Sequence, residues 1–136
     1  MNGHSGGRGL NIALWVAQAL VGLPFTLFGF MKLTSPIAEL AKTVPWVADY
    51  SEAFVRMMGV VDMAGGLGML LPAITRIKPQ LTIYAAMGCM ALQICAMIFH
   101  VLRGEAMVTP LNLVFFALAA FTFWGRRSRA PITPRG

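Results

Sequence analysis

Long apolar runs, set off by charged and turn-forming residues, dominate the chain. Gly9 to Met31, Pro79 to Leu102 and Ala106 to Gly125 each contain no Asp, Glu, Lys or Arg. A helix needs about 20 mostly apolar residues to cross a bilayer. These runs therefore predict spans over roughly 10–31, 80–102 and 108–124. A fourth run, roughly 54–71, passes through Gly65-Gly66 to Leu71 and holds one acid, Asp62. Pro72 is expected to end it. The first run follows Arg8 and contains Ala17-Gln18-Ala19, which has the form of a signal-peptide cleavage site. Its apolar stretch nevertheless continues to Met31, whereas a signal's apolar region stops at the cleavage site. A retained helix is expected.

The connecting segments are short, with one exception. Residues 1–9 read as a Gly-rich mobile tail, 72–79 as a tight turn between Pro72 and Pro79, and 103–109 as a short loop. The 32–53 segment is longer. Ser35 as N-cap and Pro36 at the first helical position can start a helix there. Ile37, Leu40, Ala41 and Val44 then recur at helical spacing until Pro45-Trp46 breaks it. A short amphipathic helix on the membrane surface follows, with Trp46 and Tyr50 at headgroup level. The fold class is all-α: an integral membrane four-helix bundle forming a single domain over 1–136.

Composition supports this. Hydrophobic residues make up 57% of the chain and charged residues 12%, with mean hydropathy +0.70. Soluble domains carry about 25% charged residues, and disordered chains are more polar still. The charge excess of +6 is mostly a topology signal. With four spans, Arg8, Arg76, Lys78, Arg126, Arg127, Arg129 and Arg135 share one side, against Lys32, Lys42, Arg56 and Arg103 on the other. The richer side is cytoplasmic by the positive-inside rule. This puts the protein in the inner (plasma) membrane with both termini in the cytoplasm. Nucleic acid is not an expected partner, because the basic residues are not interleaved with aromatics. Arg126-Arg127-Ser128-Arg129 opens a basic tail over 125–136 and reads as an anchor or a contact for anionic headgroups.

Ionisable groups inside a span cost about 2.5–3.5 kcal/mol on insertion scales and normally face the protein interior. Lys32 closes the first span. Asp62 lies about eight residues into the second, roughly 12 Å deep. Gln93 lies at a similar depth on the third, and His100 near its outer end. All four fall in the outer half of the bundle, where Thr26 and Asn112 add polar groups. Cys89, Gln93 and His100 share a helix stripe, and Asp62 shares one with Gly59, Gly65, Gly66 and Met69. Small residues allow close helix approach, which places Asp62 at a helix contact. Plain structural roles exist for each group. Lys32 can snorkel to the headgroups, and Asp62 can pair with Lys32, Arg56 or His100. Gln93 can bond another helix, and His100 can simply be a polar terminus.

Other chemistry is sparse. Cys89 and Cys95 lie six residues apart on one helix, about 9 Å along its axis, too far for a disulfide. They read as small packing residues. His4 and His100 are the only histidines, too few for a bis-histidine pair on facing helices unless His4 of the tail takes part, so no dihaem site is expected, and no Cys/His metal spacing is present. Gly65-Gly66-Leu67-Gly68 follows no strand and is no phosphate loop.

In order along the chain, these features resemble a known family. Phe28-Gly29-Phe30-Met31-Lys32-Leu33 looks like the Gly-x-x-Lys-Leu motif of the DoxX-like proteins. Gly59 through Gly68 is similar to their Gly-x-x-Glu-x-x-x-Gly second span, closed by Leu71-Pro72. Ala96 to His100 matches their Ala-x-x-x-His ending, and Asn112 and Gly125-Arg126 bracket the fourth span as in the family. Asp62 stands where the family more often has Glu. The resemblance covers about residues 10–127. It implies a four-helix inner-membrane protein. Some relatives are subunits of a thiosulfate:quinone oxidoreductase, others associate with thiol and superoxide defence, and eukaryotic relatives act as cargo receptors or assembly chaperones.

Three functions follow as expectations. The leading one is an accessory subunit of a quinone- or thiol-linked oxidoreductase. In it Lys32, Asp62 and His100 handle hydrogen bonds and protons, and Phe28, Gln93, Asn112 and Arg56 surround a quinone that is not covalently bound. Electrons then come from a protein partner, because the chain carries no redox centre of its own; a protein partner or a homo-oligomer is expected. The second is a non-enzymatic assembly or stabilising partner. The third is a small-molecule transporter or membrane isomerase, which would need a dimer because four spans are few for a carrier.

Overall fold

A computed structural model of the chain describes residues 3–105, 107 and 109–134, with side chains from residue 8 onward. The remaining positions of the two expected tails, and position 108 at the start of the expected fourth span, lie outside the described residues. The described residues form helices joined by short connectors, with no strands. Helix α1 covers Gly3–Thr34, α2 Ile37–Leu40, α3 Glu52–Thr75, α4 Gln80–Leu102 and α5 Thr109–Trp124. A 3₁₀ turn over Pro45–Asp49 separates α2 from α3, and α5 runs on into a wide turn, Gly125–Arg129.

Among the described residues three helices are long and apolar enough to cross a membrane: Arg8–Thr34, Glu52–Thr75 and Gln80–Leu102. With 16 residues, α5 is shorter. The four long helices pack in the order α1 on α3, α3 on α4, α4 on α5 and α5 back on α1. The 35–51 connector therefore lies at one end of the structure, the loop end, and the 76–79 turn at the other, the turn end. Leu23, Leu27, Val60, Tyr84, Ile98 and Leu113 stand exposed on the sides. A lateral surface of this kind suits lipid and not water.

Several boundaries depart from the pattern-based expectation. Helical structure in α1 begins at Gly3, within the expected tail. Pro72 does not end α3. It sits inside the helix, which continues to Thr75 and stops only at Arg76, in the left-handed region at φ 57°. A proline interrupts one backbone bond, which neighbouring helices in a bilayer tolerate. The N-cap of α3 is Ser51, whose Oγ accepts from the Phe54 amide at 3.2 Å. The amphipathic helix expected in the connector is instead two separate single turns, α2 and Pro45–Asp49. Pro36, not Ser35, is the N-cap of α2, and it makes no side-chain cap bond.

Glycines set the α1–α3 contact. A Cβ on Gly29 would lie 2.6 Å from the Met63 amide nitrogen and 2.8 Å from the Gly59 oxygen. One turn pair further along, a Cβ on Gly66 would lie 2.6 Å from the Thr26 nitrogen and 2.7 Å from the Gly22 oxygen. Gly22 and Gly29 are thus matched to Gly66 and Gly59 at seven-residue spacing, and the two backbones touch directly. Gly65 and Gly68 turn the other way, toward Cys89 and Ala85 of α4. Between them Asp62 is carried into the interior, 7% exposed.

Candidate functional site

At the loop end the four long helices part around a cavity of about 490 Å³. Each wall follows from a local feature already described. From α1 come Phe25, Phe28 and Lys32; from α3, Phe54, Met58 and Asp62; from α4, Gln93, Cys95, Phe99 and His100; from α5, Leu111, Asn112 and Phe115. Trp46 comes from the 3₁₀ turn. It was expected at headgroup level but is only 9% exposed. Its ring packs edge-on against Phe99 at 5.6 Å and Phe54 at 6.0 Å, roofing the cavity. Phe25 and Phe115, edge-to-face at 5.5 Å, line the inner part.

Into this aromatic space project five polar groups. Lys32 Nζ donates to Asp62 Oδ2 at 2.5 Å, with the two side chains 14% and 9% exposed. The same ammonium lies 5.6 Å from the Trp46 ring centre. Of the partners considered for Asp62, Lys32 is the one it meets. Gln93 Oε1 and Asn112 Nδ2 are buried without a hydrogen-bond partner among the described residues. One is an acceptor and the other a donor, and a buried polar atom left unpaired costs about 1–3 kcal/mol. His100 is the fifth group. Its Nδ1 lies 2.8 Å from Glu105 Oε1.

Beyond His100 the rim is charged. Arg103 Nε donates to Glu105 Oε1 at 3.1 Å, and its Nη2 donates to Asp49 Oδ2 at 2.9 Å. This ties the end of α4 to the turn that carries Trp46. Hydrogen bonds from His100 and then Arg103 hold the Glu105 carboxyl below its ordinary value. Hydrogen bonds to Glu105 and then Asp49 hold the Arg103 guanidinium above its own.

Lys32, Asp62, Gln93, His100, Asn112 and Phe28 all line the cavity. Arg56 does not. It donates from Nη1 to the carbonyls of Lys32 at 2.7 Å and Ser35 at 2.8 Å, and from Nη2 to Glu52. These bonds brace the end of α1, where the helix leaves carbonyls unpaired. Thr26 also turns away. Its hydroxyl donates to the Gly22 carbonyl of its own helix, at the α3 contact. Cys89 is buried in the central apolar cluster with Val21, Met69 and Ala86.

A second polar cluster, at the turn end, escaped the reading of the chain. Gln18 is fully buried and donates from Nε2 to the Met69 carbonyl at 2.6 Å. Its Oε1 accepts from Arg126 Nε at 2.7 Å, and Arg126 Nη1 donates to Asn11 Oδ1 at 2.7 Å and the Ala130 carbonyl at 2.9 Å. By its place in the basic tail, Arg126 is expected at the surface as an anchor or a headgroup contact. It is 2% exposed, because Gly125 packs against Leu14 and turns the side chain inward. The available signal was the pair Asn11 and Gln18, seven residues apart on one stripe of an otherwise apolar helix.

The model of the DoxX-like family matches residues 16–122. The chain belongs to the DoxX-like family. That match runs from the middle of α1 through almost all of α5, and so includes every helix that lines the cavity. The membership and the apolar helices together make this DoxX-like chain a small membrane protein. No curated protein and no solved structure matches it.

Proposed function

We propose that this DoxX-like protein is a four-helix inner-membrane subunit that binds a quinone in the loop-end cavity, as an accessory to a redox system. The seven-to-four excess of Lys and Arg in the two tails and the 72–79 segment over the other connectors supports a cytoplasmic location for the turn end and for both termini. The observation that carries the ligand assignment is a pair of side chains lining an aromatic cavity, Asn112 and Gln93, whose Nδ2 and Oε1 are buried without a partner among the described residues. At about 490 Å³ the cavity lies within the usual range for small-molecule sites, about 300–1,000 Å³. Apolar walls with a few convergent polar groups are the expected lining.

A quinone bound there supplies two-electron, two-proton redox chemistry. The residues supply the rest. Asn112 Nδ2 and the Lys32 ammonium donate to a carbonyl oxygen, and Gln93 Oε1 accepts from a hydroxyl. The two redox states of the ring need acceptors in one case and donors in the other, and this wall offers both. Asp62 and His100 hold or pass the protons, His100 toward Glu105 at the rim. Trp46, Phe54 and Phe99 exclude water. Electrons come from a partner protein.

A second reading, an assembly or stabilising subunit, draws support from the Lys32–Asp62 pair, which is complete without a ligand. Titration of the protein in mild detergent with a short-chain quinone, read by tryptophan fluorescence, separates the two. Trp46 lies on the cavity wall, while Trp15 and Trp124 lie outside it. Saturable quenching is expected, lost in Trp46→Phe and weakened about tenfold in Asn112→Leu, the worth of one well-made hydrogen bond. Quenching that does not saturate, or that is unchanged in both variants, refutes the quinone site and leaves the assembly reading.

A further inference from the structure

Arg126 poses a separate problem at the turn end. Among the described residues the other buried or half-buried cations meet acids. Lys32 has Asp62, Arg56 has Glu52, and Arg103 has Asp49 and Glu105. Arg126 is the most buried of them, yet its hydrogen-bond partners are neutral amide and carbonyl oxygens from Gln18, Asn11 and Ala130. Its Nη2 is buried with no partner at all among the described residues. Burial without a counter-ion draws the guanidinium down to about 10. It is still a cation at neutral pH. A buried charge left uncompensated is expensive.

Beside Arg126 lies a cavity of about 140 Å³. Arg126 and Arg127 form one wall, Pro79 and Gln80 another, and Ile132 with Pro134 a third. No acid lines it. Pro79 and Gln80 are the N-terminus of α4, a helix of 23 residues with no side-chain N-cap. The positive end of that helix dipole therefore adds to the two arginines. The volume equals that of about four or five waters at about 30 Å³ each, which is enough for a tetrahedral oxyanion.

From this convergence we propose that the turn-end cavity is an anion site for a phosphate group, held by Arg126, Arg127 and the N-terminus of α4. The phosphate is either that of an anionic lipid headgroup or a free phosphate. It supplies the negative charge that Arg126 lacks and a partner for its free N–H. Guanidinium and phosphate are well matched, since both offer paired, charge-assisted hydrogen bonds.

Two arms of one experiment test the site and separate the sources. Full-length protein, stripped of lipid in a neutral detergent, is titrated with inorganic phosphate against chloride at constant ionic strength, with the unfolding midpoint as readout. In parallel, native mass spectrometry counts phosphatidylglycerol or phosphatidylcholine retained after reconstitution. Arg127→Gln is the working variant, because Arg127 is exposed and makes no side-chain hydrogen bond that holds the fold. Arg129→Gln, three residues from Arg126 and off the cavity wall, is the control. Saturable stabilisation by phosphate assigns a soluble ligand. Retention of one phosphatidylglycerol per chain, without a phosphate effect, assigns a headgroup. Either supports the site if Arg127→Gln weakens it about tenfold, the loss of one charge-assisted contact, while Arg129→Gln leaves it unchanged. Equal loss in both variants, or no saturable binding in either arm, overturns it.

Discussion

Replacing Asp62 by Asn tests whether the Lys32–Asp62 pair is truly removed from water. The amide keeps the shape of the carboxylate and deletes its charge. What remains is an ammonium 14% exposed, facing a neutral group. Breaking a desolvated pair from one side costs about 3–5 kcal/mol, most of it the unpaired charge left behind. Lys32 retains the face of Trp46 at 5.6 Å and sits in the last turn of α1, from which its stem can reach outward. Both effects place the loss at the lower end, about 3 kcal/mol, or roughly a hundredfold in the unfolding equilibrium. Reversible unfolding in mixed micelles, followed by helicity, measures it. The double replacement Lys32→Met with Asp62→Leu removes both charges and should recover most of the loss. A loss below about 1 kcal/mol for Asp62→Asn would place the pair with exposed ones. A double variant as damaged as the two single changes summed would show that unpaired charge is not the cause. Either result refutes the reasoning.

Two further outcomes follow from the same structure. Gly66→Ala drives a methyl into the Thr26 and Gly22 backbone and should destabilise by about 1–3 kcal/mol, while Gly88→Ala, with nothing within 4 Å, should be neutral or slightly stabilising; the same micelle assay compares them. The folded-state value of Glu105 is depressed below the ordinary 4.5, so its contribution is present above that value and fades as pH falls through the folded one. The unfolding midpoint should therefore drop on acidification below about pH 4.5, and Glu105→Gln should flatten that limb; an acid limb of equal slope in the variant would assign the effect to another group.

Depth along a helix was legible in the chain, and rotation about its axis was much less so. A fixed rise per residue placed Lys32, Asp62, Gln93, His100 and Asn112 in the same half of the bundle, and all of them do line one cavity. Which way a side chain turns depends on which glycine face docks on which neighbour. That is why Arg56 went to the α1 carbonyls and Thr26 to its own helix. Pro72 read as a stop because a proline in water breaks a helix, whereas here the helix passes through it. The Gln18–Arg126 bond joins residues 108 apart, so the stripe of Asn11 and Gln18 marked a polar face on α1 without naming its partner. Trp46 gave the signal of an interfacial aromatic, and only the approach of Phe54 and Phe99 turned it into a roof.

The order of Lys32 and Asp62 along the chain has a consequence for biosynthesis. A nascent membrane chain is threaded into lipid one helix after another. Asp62 follows Lys32 by 30 residues, so it is made after the whole of α1. The glycine-matched seam brings the two backbones into direct contact, which lets α3 dock closely on α1. The acid is thus made after its counter-ion. It can be neutralised on arrival, and the helix with the least favourable residue to insert enters the bilayer as the second half of a hairpin.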